Sequence, residues 1–449
     1  MPRLLLALAV AAFAVLPARA GSEPGRSGAV PAGDSNRPLI QLKREAKAEE
    51  LPAVDQPSAA PAAPAVPAAR ADQRYWVVVR AMTRDQRTAI AGAGMSIEEI
   101  GSNQVAGVAH IKTIQKLKAL GFEILFQTSL ARYTKDFPPQ DKAYHDYKRM
   151  LEALQSLAKA NPKLVSMFSI GRTWQGRDIW CARFNTTESG AKPSQKPGAV
   201  FVGNHHAREH LSVEIPLKLA EHLAAKQNDP AVRKLLESRD IYVIPMLNAD
   251  GAEYDISTGE YKWQRKNMRV NPDQEIGVDL NRNYDFLFGG EGSSGDTYSD
   301  TYHGPSAFSE PETQAFKAFL EARPNVKTLQ SYHSYSSLIL YPWGGKDSPV
   351  EDAQDLKAYK VMAAAMAKMT GYTAEQSSDL YVATGDCTDW TYAALKIFSF
   401  TTELYPSYGN GGFYPGAAAI DKEAPGNIKA ALYLVEYSDD PHRAAAATR

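Results

Sequence analysis

The sequence predicts a mixed α/β sheet with helices on both faces, preceded by a small α+β domain, and three observations lead there. From about residue 137 onward, strand-length apolar runs alternate with segments of helical spacing, the pattern of a sheet covered on both sides. Within that part, Ala199, Val200, Phe201 and Val202 form one continuous apolar run closed by the turn pair Gly203 and Asn204. Ile215, Leu219 and Leu223 then follow at helical spacing, so strand, loop and helix succeed one another. Residues 73–130 hold a separate set of shorter elements.

Taken in order, the chain opens with a targeting segment. Arg3 precedes thirteen apolar residues, 4–16, and Ala18 and Ala20 stand where a signal peptidase reads small side chains, so residues 1–20 are expected to be removed. The run is too short to span a bilayer. The mature chain is therefore expected to be secreted or periplasmic, with no membrane attachment. Residues 21–72 are rich in Gly, Ser, Pro and Ala and cannot bury enough apolar surface to order themselves, which predicts a linker.

Residues 73–136 then read as a small α+β unit without catalytic residues: strands at 75–80, 104–109 and 122–126, and helices at 84–93 and 113–120. In the larger part, residues 137–440, strands are predicted at 164–170, 179–184, 199–202, 241–247, 328–332 and 397–401. The helix after 204 can tolerate Pro216 only in its first turn. Residues 441–449 are expected to be a flexible tail.

At 449 residues the chain is too long for one ordinary domain, and 44% hydrophobic content suffices for a sizeable core. A formal net charge of −1 with 22% charged residues leaves no footprint for nucleic acid. A monomer is expected. Cys181 and Cys387 are the only cysteines, and nothing in the sequence places them within disulfide range, so a bridge and two free thiols both remain open.

The chemistry is concentrated after the run at 199–202. His206 and Glu209 stand three apart, a spacing that lets an imidazole and a carboxylate meet on one metal ion, and His333 can supply the third ligand of an open catalytic zinc site. His206, Glu209 and His210 also spell H-x-x-E-H, in which both histidines would bind zinc from one helix. Context favours the first reading, because His206 falls on the loop between strand and helix. His205 and His210 are read as residues that line or flank the site.

Further along, Asp279, Asn281 and Arg282 form a short polar cluster. His333 precedes Ser334 and Tyr335, Tyr381 and Asp386 lie on one loop, and Glu403 ends an apolar strand, where it would point into a cleft at the strand's carboxyl end. In this order the set resembles the zinc metallocarboxypeptidases of the pancreatic carboxypeptidase A and B type, over roughly residues 137–437.

The resemblance implies an eight-stranded sheet, one Zn2+ held by His206, Glu209 and His333, and Glu403 as general base. Two imidazoles and one carboxylate leave zinc with net positive charge, which lowers the pKa of a bound water and polarises a carbonyl. Glu403 can then move the proton to the leaving amine. Asn281 and Arg282 match the clamp for a terminal carboxylate, Tyr381 the tyrosine that closes over substrate, Arg265 the group that stabilises the oxyanion, and Arg208 an auxiliary substrate arginine. Asp279 matches the carboxylate behind a metal-bound histidine.

The implied substrates are peptides or proteins with a free C-terminus. By position, residues 73–136 match the family's prodomain, with a permanent accessory domain as the alternative. An activating protease would cut near Arg132 or Lys135. The specificity loop carries Thr388 where a strictly basic-specific member carries an acid. Asp386 could reach a basic side chain while Thr388 and Ala383 leave room for an apolar one, or it could cap the loop. Two other functions stay open: a related zinc hydrolase acting on cell-wall peptides, and a binding protein that keeps this fold without turnover.

Overall fold

Strand β7, Gly198–Gly203, is buried at all six positions and lies in the middle of an eight-stranded sheet. The computed structural model describes residues 73–130, 139–257, 261–407 and 412–446, all within one compact unit. The expected signal segment and linker, and the proposed cleavage sites Arg132 and Lys135, lie outside the described residues.

The small N-terminal sheet contains β1 (Arg74–Arg80), β2 (Ser96–Ile100), β3 (Gln104–His110) and β4 (Ile124–Ser129), antiparallel in the order β2-β3-β1-β4. Helices α1 (Arg84–Gly92) and α2 (Ile111–Ala119) bring Ile90, Ile114 and Leu117 against Val77, Val79 and Val105. Strand β2 is absent from the sequence expectation because its Ser-Ile-Glu-Glu-Ile pattern puts two acids where alternation would want one. Glu98 is the extra residue of a bulge opposite β3, between the pairs Ile97–Gly107 and Glu99–Ala106. A Cβ on Gly107 would come 1.9 Å from the Ser96 carbonyl oxygen, so only glycine admits this approach. Bulges re-aim side chains. This one sends Glu98 out of the small domain.

The large sheet is formed by β5 (Val165–Arg172), β6 (Asp178–Phe184), β7, β8 (Asp240–Ile244), β9 (Val326–Ser334), β10 (Leu338–Tyr341), β11 (Thr373–Gln376) and β12 (Phe398–Leu404), in the order β11-β10-β12-β9-β7-β8-β6-β5. The four central strands, β12, β9, β7 and β8, are parallel, which explains their unbroken apolar runs. The four-residue strands β10 and β11 are too short for a periodicity reading.

Helices α3 (Tyr147–Ala160), α4 (Leu211–Ala225), α5 (Pro230–Ser238), α6 (Ala249–Ile256), α7 (Pro311–Glu321), α8 (Ala353–Thr370), α9 (Ser377–Leu380), α10 (Cys387–Leu395) and α11 (Ala418–Glu436) complete the large domain. Alternate residues of β7 enter opposite cores. Ala199 and Phe201 pack in the cluster formed with α4, α8 and α11, while Val200 and Val202 pack with Phe316 and Phe319 of α7 and Trp390 of α10.

Two expectations need correction. Pro216 is the sixth residue of α4, not part of its first turn. Having no N–H, it leaves the Ser212 carbonyl without its helical donor, and a Cβ on Gly203 would come 2.0 Å from that oxygen, so the strand end packs directly on the broken turn. Part of the expected tail is helical: α12 (His442–Ala446) buries Ala444 and Ala445, and His442 Nε2 lies 2.7 Å from Asp355.

Arg183 of β6 and Asp240 of β8 form a fully buried ion pair, with Nε–Oδ1 at 2.6 Å and Nη2–Oδ2 at 3.0 Å. Cys181 and Cys387 are both buried free thiols, and burial pushes the Cys181 thiol up to about 12.

Candidate active site

The parallel strands deliver the polar residues to one edge of the sheet. Strand β7 ends at Gly203 and runs into the loop bearing His206 and Glu209, His333 is the penultimate residue of β9, and Glu403 pairs beside it from β12. Ligand sites form at this carboxyl edge of parallel strands.

The loop is held out of helical register by its own side chains. Asn204 Nδ2 donates to the carbonyls of His206 and Ala207 at 3.0 and 3.2 Å, and the Ser212 hydroxyl donates to the Glu209 carbonyl at 2.5 Å. Helix α4 therefore begins only at Leu211. His210 is engaged at 2.8 Å by Asp255 and is not among the groups that converge with Glu209, so the H-x-x-E-H arrangement is not formed.

His206, Glu209 and His333 do converge. His206 Nδ1 lies 2.7 Å from Glu209 Oε1, His333 Nδ1 lies 3.0 Å from Glu209 Oε2, and the two Nδ1 atoms are 3.1 Å apart. A tetrahedral ion with bonds of about 2.0–2.1 Å separates neighbouring ligand atoms by roughly 3.3 Å, so the spacing suits one zinc. Asp279 Oδ1 sits 3.1 Å from His206 Nε2 and can only accept, which puts the ring proton on Nε2 and leaves the Nδ1 lone pair facing a carboxylate. That juxtaposition calls for a cation. Burial disfavours a charged His333, yet the charge and hydrogen bond of Glu209, with the charges of Glu403 and Asp386, together raise its pKa. Zinc would compete for the same negative field. Burial likewise opposes ionisation of Glu209, but His206 and His333 hold its pKa well below the usual carboxylate range.

One cavity collects His206, Glu209, Arg265, Asn281, Arg282, Tyr381, Asp386 and Glu403. Burial together with the Glu209 and Glu98 charges pushes Glu403 up to about 8, against the opposing pull of His333 and Arg265. Arg265 is held through Nε by Asp279 Oδ2 at 3.0 Å, so one carboxylate orients both His206 and this arginine. Arg282 donates to the carbonyls of Gly292 and Asn281 at 3.1 and 2.7 Å, which fixes its plane. Tyr381 is raised above its ordinary pKa by burial, with Arg282 and Arg265 pulling the other way.

Arg208 and Thr388 do not line the cavity. Arg208 is buried between Glu98, Asp300 (3.2 Å) and Ser96 (3.1 Å), with Phe413 stacked 4.4 Å away. The Thr388 hydroxyl donates to Asp386 Oδ1 at 2.5 Å. That same Asp386 oxygen caps α10 by accepting from the Thr388 and Asp389 amides at 2.7 and 3.0 Å, while its other oxygen accepts from Asn281 at 2.9 Å.

Sequence reasoning matched the small domain to a prodomain but named none of its residues that reach the cavity. Ile97, Glu98 and Ile100 line the cavity, and the Tyr335 hydroxyl donates to Glu99 at 3.0 Å. Arg87 donates to the Leu380 carbonyl at 2.5 Å and the Thr88 hydroxyl accepts from the Val382 amide at 3.0 Å, so α1 grips both sides of Tyr381. No local motif announces such contacts. His205, read as a flanking residue, is fully buried, and burial lowers its pKa well below 6.5, which keeps it neutral.

Comparison with known proteins gives a consistent picture. The sequence pattern of the family described as zinc carboxypeptidase matches residues 150–430. A zinc carboxypeptidase of Saccharothrix mutabilis subsp. capreolus is 31% identical over 398 residues, covering 83% of this chain and 90% of the relative. That coverage exceeds what residues 137–449 alone can supply, so the similarity reaches into the small domain. Human carboxypeptidase A1 is 33% identical over 315 residues, covering 69% of this chain and 73% of its own. Among solved structures, the carboxypeptidase A of Helicoverpa armigera aligns with a TM-score of 0.66 and 23% identity, over 84% of this chain and 98% of that one, a likeness of fold.

Proposed function

Because the chain belongs to the zinc carboxypeptidase family, and is thus a metallocarboxypeptidase and a hydrolase, we propose that it removes C-terminal residues from peptides with His206, Glu209 and His333 holding one zinc and Glu403 as general base. The observation that supports this reading is the convergence of the three ligand atoms in a buried site whose cavity also contains Glu403 and Arg282. When bound, zinc supplies a water of lowered pKa and polarises the scissile carbonyl.

The chain's own residues do the rest. Glu403 accepts a proton at a carboxylate oxygen and returns it to the leaving amine nitrogen. A nearby cation and the departure of Glu98 would each lower its pKa from about 8, which favours the ionised form a base requires. Arg265, pinned by Asp279, presents N–H groups to the developing oxyanion. Arg282 and Asn281 bind the terminal carboxylate, with Tyr381 closing over it. Arg208 loses one of its two carboxylate partners when Glu98 leaves and keeps the other, Asp300.

The small domain acts as an inhibitory prodomain in this reading, because Ile97, Glu98 and Ile100 occupy the space a substrate needs. The chain is exported and processed after Ala20, and no described helix is long and apolar enough to cross a membrane. Incubating the processed protein with blocked dipeptides ending in Phe, Leu, Arg, Lys or Glu, with and without a chelator, tests the assignment. Chelator-sensitive release of the last residue is expected, and C-terminally amidated versions should resist. Cleavage that ignores the chelator or the amide would refute it.

A further inference from the structure

His206 is backed by the carboxylate of Asp279. Its partner ligand His333 is backed differently. His333 Nε2 lies 3.1 Å from the Ser331 hydroxyl, two residues earlier on the same face of β9. That hydroxyl lies 3.2 Å from His205 Nδ1, and His205 Nε2 lies 2.9 Å from the Tyr284 hydroxyl. His205, Ser331 and Tyr284 are fully buried, so water offers no substitute partner. His205 also stacks on His333, with ring centroids 5.4 Å apart and planes 18° from parallel.

We infer that His205 and Ser331 are positioning residues for His333, forming with Tyr284 a one-way hydrogen-bonded chain that keeps the proton on Nε2 and leaves Nδ1 bare for the metal; the inference rests on the zinc assignment above. Donors and acceptors match throughout in this direction. His333 Nε2–H donates to Ser331, the Ser331 hydroxyl donates to His205 Nδ1, and His205 Nε2–H donates to the Tyr284 oxygen. Run in reverse, the same chain would place the proton of neutral His333 on Nδ1, where the ligand lone pair must be. The two imidazole ligands are thus oriented by unlike devices: a charged acceptor behind His206, and a neutral relay behind His333. Groups that orient metal-bound histidines change metal affinity by about 10–100-fold when removed.

The test is made on the full chain by measuring the zinc dissociation constant against a competing coloured chelator. The melting temperature of each metal-free protein is recorded alongside. Ser331→Ala and His205→Leu should each weaken zinc binding by about 10–100-fold. Because the two act in series, the double variant should be little weaker than the poorer single one, and Ser331→Thr, which restores the hydroxyl, should return to near the parent value. Parent-like zinc affinity in both single variants, even with lowered melting temperatures, would reduce the chain to packing and overturn the inference. So would fully multiplicative losses in the double variant. Should His205→Leu fail to fold, Ser331→Ala, which removes a single oxygen, decides alone. A parent protein that itself binds no zinc would instead overturn the metal assignment, and this inference with it.

Discussion

Glu98 of the small domain and Arg208 of the loop that carries His206 and Glu209 form a buried ion pair across the two parts of the chain. The bulge that projects Glu98 exists because Gly107 lets β2 and β3 approach, so a backbone irregularity in one domain occupies a cation of the other. Truncating one partner of a buried, hydrogen-bonded charge pair costs about 2–5 kcal/mol. Glu98→Ala should therefore loosen the small domain and raise activity of the full-length protein by about tenfold or more, while leaving the protein trimmed near Arg132 or Lys135 unchanged. Steady-state assays of both forms check this. Equal activity of full-length and trimmed parent would make the small domain an accessory, not an inhibitor.

His333→Ala is expected to remove bound metal and turnover together, because two ligands cannot hold the ion that three converge upon. Metal analysis after dialysis provides the measurement. Full zinc with full turnover would assign the site elsewhere.

Glu403→Gln keeps the shape of the side chain and loses the base. Zinc content and inhibitor binding should persist while kcat falls by about 10²-fold or more. Parent-like turnover in this variant would send the search for the base to another residue.

Asp386 presents a separate choice. Its oxygens cap α10 and hold Asn281, and it also lines the cavity. If it reads a basic C-terminal side chain as well, Asp386→Ala should lower kcat/KM for substrates ending in Arg more than for those ending in Phe. An unchanged Arg-to-Phe ratio would leave it the capping role alone.

Acid stability follows from Asp240. Burial opposes its ionisation, but the hydrogen bonds from Arg183 and Tyr242 hold its folded pKa below the ordinary value of 3.8. The unfolded chain then binds the proton more tightly, so this contribution is fully present above about pH 4 and is lost as pH falls through the lower folded value. Urea midpoints measured from pH 6 down to 2.5 should fall on the acid side, and Asp240→Asn should flatten that fall. The substitution should also cost up to about 3–5 kcal/mol at pH 6 by removing the buried carboxylate partner of Arg183, which would keep only the half-exposed Glu188 at 3.7 Å. An acid slope identical in parent and variant would remove Asp240 from the explanation.

Residue types and their spacing made legible the family, the cluster of candidate ligands and the sheet that presents it. The convergence of His206, Glu209 and His333 was legible because metal coordination demands particular residue types at a short spacing, and the central strands because burial on both faces demands an unbroken apolar run. The eight-strand count came from resemblance, since β10 and β11 are four-residue strands with no readable period. Tertiary structure alone decided the rest. Glu98 looks like a surface acid until a bulge and a distant arginine give it a partner, His205 looks like a bystander until Ser331 and Tyr284 close around it, and Arg208 faces the small domain before any substrate. Each of those roles depends on partners 79 to 126 residues away. Local pattern records what a residue can do, and only the packed chain determines which neighbour it does it with.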